Sequence, residues 1–233
     1  MRVVPDLVHE EQAFIQGARV VAGIDEVGRG AWAGPVTVGV VSIQSTDEPQ
    51  PEKVRDSKML ARRVRENLIP AIEAWALESA TGNATARECD RLGMRAAIAL
   101  ASSRALDSLT VTPDVVIVDG PLDLLDAESL LLEAYVADHR WRATPPRVLP
   151  VVKGDQCCAT VAAASVLAKV TRDKLMTDLA DSYPPFDFQR NVGYPSPVHQ
   201  CALRGYGLTP LHRKSWSYVD GIPWLLGGLK AEE

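Results

Sequence analysis

Asp25 and Glu26 stand side by side at the end of an apolar run, RVVAGIDE. The valine and isoleucine content of that run reads as a strand. Paired charges are rare in such a place, because desolvating an anion is costly. Two carboxylates about 4 Å apart repel by about 4 kcal/mol at an effective dielectric of about 20. Asp119 ends a second apolar run, DVVIVD, and Asp155 follows a third, RVLPVV. All four acids thus fall at or just past the ends of expected strands. If those strands lie side by side, the acids converge, and the cluster needs protons or divalent cations to be tolerable. Taken alone, Asp155 reads as a helix cap and Asp119, before Gly120, as a turn residue; neither role asks for both Asp25 and Glu26. Taken together, four carboxylates offer all-oxygen ligation, which suits Mg²⁺ or Mn²⁺ and disfavours zinc or copper. Such a site holding two ions serves in-line attack on a phosphodiester.

The turn after the acid pair is GRGAWAGP. Gly28, Gly30 and Gly34 give the spacing GxGxxxG, and a strand follows. A dinucleotide fingerprint needs GxGxxG and a helix, so that reading is excluded. Glycines here let main-chain groups approach a ligand closely beside the acids, with Arg29 as a cation for phosphate. A plain hairpin turn accounts for the spacing equally well.

Residues 19–25 and VTVGVVSI (36–43) suggest an antiparallel hairpin. Asp56 and Ser57 predict a helix N-terminus, running to about Asn67, and Pro70 predicts the opening of another helix to about Leu77. Residues 78–84 form a candidate third strand. Met94, Ile98, Leu100, Ala101, Ala105 and Leu109 recur at helical spacing over 92–109. Residues 114–119 read as a buried strand, and 147–152 as an edge strand, because of Pro150. Leucines between Pro121 and Pro146 suggest a short helix. A long alanine-rich helix is expected from about Cys157 to Leu179, and another over 197–206. Strands with interspersed helices indicate an α/β fold with a mixed sheet.

The net charge is −5, with local polarity. Lys53, Arg55, Lys58, Arg62, Arg63 and Arg65 form a basic stretch. Seven acids and no Lys or Arg lie between Asp114 and Asp138. No acid occurs from Phe188 to Val219, where Arg190, Arg204, Arg213 and Lys214 lie. A polyanion has somewhere to bind, although charge alone fits a solvated, salt-bridged surface as well. The uncharged run Cys157–Ala168 is too short to cross a bilayer, so no membrane association is expected. The acids of MRVVPDLVHEEQAF do not suit a signal peptide. Cys89, Cys157, Cys158 and Cys201 form no CxxC and no Cys/His ladder. They read as reduced thiols and small apolar fillers of a cytoplasmic protein, with no zinc site expected.

In chain order, GIDEVGRGAWAGPV, DSKML, PDVVIVDG, VVKGD, VAAASVLAKVTRD, NVGYPSPVH and LHRKSW resemble the signature blocks of bacterial ribonuclease HII, the type 2 ribonucleases H. The resemblance spans about Val20 to Trp216, with departures at Ala31 and Pro121 and a leucine-rich segment, 121–146. It implies one catalytic domain: a ribonuclease H-like mixed sheet flanked by helices over about 19–180, then a helical, loop-rich C-terminal part over about 181–233. The implied activity is endonucleolytic cleavage of RNA in RNA–DNA hybrids and 5′ of single ribonucleotides in duplex DNA, by a monomer using two Mg²⁺ or Mn²⁺ ions. The family's metal ligands fall on Asp25, Glu26, Asp119 and Asp155. Its 2′-hydroxyl-reading motif falls on Gly28, Arg29 and Gly30, and its junction-sensing tyrosine on Tyr194. Ser57, Lys58 and Lys153 fall near the nucleic-acid backbone. Without the resemblance, Ser57 is a helix cap, Lys58 a surface lysine and Tyr194 a packing aromatic. A non-catalytic nucleic-acid-binding module is the competing reading; it predicts no magnesium dependence.

Overall fold

The structure is a computed structural model that describes residues 4–120 and 146–222. The leucine-rich stretch before Pro146 lies outside the described residues. Strands β1 (Val21–Val27) and β2 (Val36–Ile43) pair antiparallel, with Val21 opposite Ile43 and Val27 opposite Thr37. β3 (Glu78–Ala84) pairs antiparallel with the far side of β2. β4 (Val115–Asp119) runs parallel to β1, and β5 (Arg147–Val151) parallel to β4. The order β3-β2-β1-β4-β5 makes a mixed sheet, with the Pro150 strand at one end, where a residue without an N–H is tolerated.

Helix α1 (Val8–Ile15) precedes the sheet and has no counterpart among the sequence expectations. Its Ala13 packs with Val21, Val115, Ile117 and Val161. Helix α2 (Arg62–Trp75) follows a short 3₁₀ turn, Ser57–Met59. Two expectations are corrected here. Asp56 caps only the 3₁₀ turn, accepting from Lys58 N at 3.0 Å. Pro70 lies inside a continuous helix rather than opening a second one. Pro70 has no N–H to give the preceding turn, but Leu68 and Ile72 bury on either side of it against Ala162, Ala163 and Val166.

The helix expected over 92–109 is α4 (Met94–Asp107); a short helix with no sequence expectation, α3 (Ala86–Leu92), precedes it and meets it at Gly93, with φ 78°. A capping box of Thr85 and Glu88 starts α3. The long helix expected from about Cys157 to Leu179 is present. One turn, α5 (Gly154–Cys157), precedes α6 (Ala159–Ala180), with Cys158 extended between them. α4 covers one face of the sheet and α6 the other. Both pack very close. A Cβ on Gly39 would lie 2.4 Å from the Ala164 carbonyl oxygen of α6, and one on Gly82 would lie 2.1 Å from that of Ala101 of α4. The small residues of α6 are therefore a packing requirement.

Beyond α6 come the single turn α7 (Phe188–Asn191) and α8 (Pro197–Tyr206). Their Phe188, Val192, Ala202 and Leu203 bury with Met176, Ala180 and Ala33, which fixes this region against the turn that follows β1. No helix among the described residues is long and apolar enough to cross a membrane.

Candidate active site

Asp25 and Glu26 are the fifth and sixth residues of β1. The β1–β4 register pairs Ile24 with Val118, so Asp25 and Asp119 occupy the next rung. Asp119 reaches across to α5: its Oδ1 accepts from Gly154 N at 2.7 Å. Gly120 N donates to the Val151 carbonyl at 3.0 Å. These bonds hold the turn bearing Asp155 beside the end of β4. Asp155 does not cap its helix through its side chain. Its Oδ2 lies 3.7 Å from Lys58 Nζ, and Glu26 Oε1 lies 3.6 Å from the Arg29 guanidinium.

Each carboxylate has charged neighbours among the other three, Glu26 and Asp155 for Asp25 and Asp119 for both Glu26 and Asp155, although no three of them bring oxygens within 4.8 Å of one another. Burial pushes Asp25 up to about 8; Glu26 and Asp155 push the same way, while a Ser165 hydrogen bond and Lys58 oppose them. Burial raises Glu26, with Arg29 opposing and Asp119 adding. Burial raises Asp155, with Asp119 and Asp56 adding and Lys58 opposing. Burial works against the charge of Lys58, yet Asp56, Asp25, Asp155 and Glu26 together hold its pKa above the ordinary value. Four acids facing one exposed lysine and one exposed arginine leave negative charge in excess. The donor set, all carboxylate oxygen, fits hard divalent cations.

The glycine-rich turn is held from below by two fully buried arginines. Arg213 donates to the carbonyls of Arg29 (2.9 Å), Gly28 (2.7 Å) and Gly34 (3.2 Å). Arg172 donates to those of Pro35 (2.9 Å), Val192 (2.9 Å) and Ala33 (3.1 Å). Burial lowers its pKa to about 10, so it still carries its charge at neutral pH. Gly28 has φ 94° and no room for a Cβ, which would meet Arg172 at 2.2 Å. Gly30 differs. It is exposed, its φ is ordinary, and the nearest atom to an added Cβ is Tyr194 Cε1 at 4.0 Å. Nothing inside the protein requires glycine there.

The Tyr194 ring stands beside Gly30, its centre 5.4 Å from the Arg172 guanidinium carbon and 5.6 Å from Lys169 Nζ. Lys58 is exposed at the rim of the acids. Ser57 is buried, its N–H donating to Ser165 Oγ at 3.4 Å with the two hydroxyl oxygens 2.9 Å apart, so it faces Ser165 rather than the surface. Lys153 is exposed, in a left-handed conformation just ahead of α5.

The family model for ribonuclease HII matches residues 22–219. The chain belongs to the ribonuclease HII family. It is 48% identical to ribonuclease HII of Streptomyces avermitilis over 89% of this chain and 81% of that protein. It is 42% identical to that of Thermus thermophilus over 91% and 94%. The solved ribonuclease H2 of Pyrococcus horikoshii superposes with a TM-score of 0.71 at 29% identity, over 87% of this chain and 96% of that one. A ribonuclease HIII solved in complex with Mn²⁺ shares the fold, with a TM-score of 0.65 at 21% identity over 92% and 72%. The chain is therefore a type 2 ribonuclease H, an endonuclease and hydrolase.

For this ribonuclease HII chain, sequence reasoning missed the supports. Ser165, Arg172 and Arg213 lie within blocks that carry the resemblance, VAAASVLAKVTRD and LHRKSW. An arginine in a basic stretch reads as a surface charge.

Proposed function

We propose that this ribonuclease H cuts the RNA strand of RNA–DNA hybrids and nicks duplex DNA on the 5′ side of a single ribonucleotide, leaving a 3′-hydroxyl and a 5′-phosphate. The observation that carries this reading is the ring of four mutually repelling carboxylates beside an exposed glycine-rich turn. Asp25, Glu26, Asp119 and Asp155 would hold two Mg²⁺ or Mn²⁺ ions. Bound there, such ions lower the pKa of an attacking water and stabilise the leaving 3′-oxygen. Asp119 has a second task, because its bond to Gly154 keeps Asp155 in the ring. Lys58 and Arg29 flank the acids and neutralise phosphate charge.

The 2′-hydroxyl is the one group that marks a ribonucleotide at a given position in DNA, so recognition must reach it. The Gly28-Arg29-Gly30 turn supplies main-chain groups for this. Arg213 and Arg172 keep the turn still, and the space above Gly30 is where a sugar fits without a Cβ in its way. Tyr194 offers a ring to the adjoining deoxyribose, and exposed Lys153 reaches the backbone phosphates. Residues about 19–180 and 181–233 act as one catalytic domain, monomeric on the substrate.

Asp119→Asn and Asp155→Asn are expected each to abolish turnover while the hybrid still binds, measured by gel cleavage and fluorescence anisotropy on the same preparations. Full activity in either variant removes that residue from the site.

A further inference from the structure

Cys157 and Cys158 lie outside the carboxylate ring, at the end of the turn that carries Asp155. Their sulfurs are 3.9 Å apart. His9 of α1 completes a group in which a ring nitrogen and both sulfurs all lie within 4.8 Å of one another. Among the described residues, no other three His, Cys, Asp or Glu side chains come this close. The backbone holds the group together: Asp6 N donates to the Cys157 carbonyl at 3.0 Å, and Ala159 N to the Asp6 carbonyl at 2.9 Å. The segment leading into α1 is thus fixed on both cysteines.

Zinc takes thiolate at about 2.3 Å and imidazole at about 2.0–2.1 Å, in a tetrahedron. Two thiolates on one such ion stand about 3.8 Å apart. The sulfur pair already has that spacing, and the imidazole has at most about 1 Å to close. Cys158 is buried, whereas His9 and Cys157 are half-exposed. His9 also lines a cleft between α1 and β5, with Gln12, Gln16, Arg147 and Pro150, which gives an ion a way in. Glu10 adds a second observation. It is fully buried, its Oε1 accepts from Thr160 N and Oγ1, and its Oε2 has no hydrogen-bond partner. Burial first, and the Glu10 charge with it, push both thiols up, so a bound ion has to displace their protons.

We propose that His9, Cys157 and Cys158 form a zinc site, distinct from the carboxylate ring and selective for a softer ion. Binding releases the thiol protons to solvent and ties α1 to the turn bearing Asp155. It stands against the expectation of no zinc site, and the titration below decides between them. Cysteine spacing held no sign of it, because the third ligand comes from the opposite end of the chain.

The full-length, metal-stripped protein is titrated with Zn²⁺ against a chromogenic chelator in excess Mg²⁺, and separately with Co²⁺. One Zn²⁺ per chain and a thiolate-to-cobalt charge-transfer band are expected. Cys157→Ser and His9→Ala, both at half-exposed positions, should each weaken Zn²⁺ binding by about tenfold or more. Asp25→Asn and Cys201→Ser should leave it unchanged. No Zn²⁺ held against the chelator, a cobalt spectrum without the thiolate band, or binding lost in Asp25→Asn but kept in Cys157→Ser overturns the proposal. The wild-type cobalt spectrum decides even if a variant fails to fold.

Discussion

Gly30 separates structural need from functional need more cleanly than its neighbours. Gly28 is bound by its positive φ and by Arg172 beneath it, so any substitution there disturbs the fold and the site together. At Gly30 a methyl group has room inside the protein and none to spare for a sugar above it. Gly30→Ala is therefore expected to change unfolding free energy by no more than about 0.5 kcal/mol. Its kcat/KM on a duplex with one ribonucleotide should fall by about 10- to 100-fold, as a misplaced reacting group does. Denaturant melts and steady-state nicking on the same protein measure both. Lost stability with unchanged nicking would reverse the assignment. The acids were legible because carboxylates at the end of apolar strands have few benign explanations. The buried Arg172 and Arg213 were not, since their carbonyl partners are far away in sequence and leave no pattern.

Among the elements, α8 and the loop behind it have the most specific task. Main-chain N–H groups only donate and carbonyls only accept, which fixes one hydrogen-bond chain. Thr209 N donates to His212 Nδ1, His212 Nε2 to His199 Nε2, and His199 Nδ1 to the Tyr194 carbonyl, each at 2.9 Å. Both rings must be neutral, because a proton on either sets two donors against each other. Burial depresses both, His212 to about 3, helped there by His199. An unfolded histidine titrates near 6.5. The stability held by the pair is therefore complete above about pH 6.5 and is lost as pH falls toward 3, where the unfolded chain takes up protons that the folded one refuses. Between pH 7.5 and 5, wild type should lose about 1–3 kcal/mol more than His212→Gln, by urea melts. An equal loss in both proteins would show that the pair is not responsible.

Other elements show where patterns succeed. β2, β3 and α8 have the predicted bounds, and α8 opens on the Ser196 cap followed by Pro197. The helices expected over 92–109 and from about Cys157 are present within two residues of those bounds, whereas the short α3 and the single turn α5 had no hydrophobic period to announce them. Pro70 was overruled by the continuous burial of Leu68 and Ile72. α1 was missed because its apolar residues are few, and its anchor is the Glu10 bond to Thr160, 150 residues away.

At the scale of the molecule, an overall charge of −5 coexists with a basic approach to the carboxylates. Lys53, Lys58, Arg62 and Arg63 are exposed before and within α2, and Arg190 and Lys214 in the C-terminal part. Arg65 and Arg213, read from sequence as part of the same basic surface, turn inward to carbonyls instead. The mixed sheet was readable from a hairpin followed by parallel-type apolar runs. The docking of residues 181–222 over the glycine-rich turn was not, because it depends on long-range aromatic packing such as Trp32 on Tyr218, centroids 4.3 Å apart. On the proposed function, four carboxylates share divalent ions next to a turn that reads one ribose. Incubation with duplex DNA carrying a single ribonucleotide tests it most directly, with Mg²⁺ and with Mg²⁺ plus EDTA. A nick on the 5′ side of the ribonucleotide in Mg²⁺, absent with EDTA, is the predicted result. An uncut duplex alongside a cleaved continuous RNA–DNA hybrid, or nicking that survives EDTA, would contradict it.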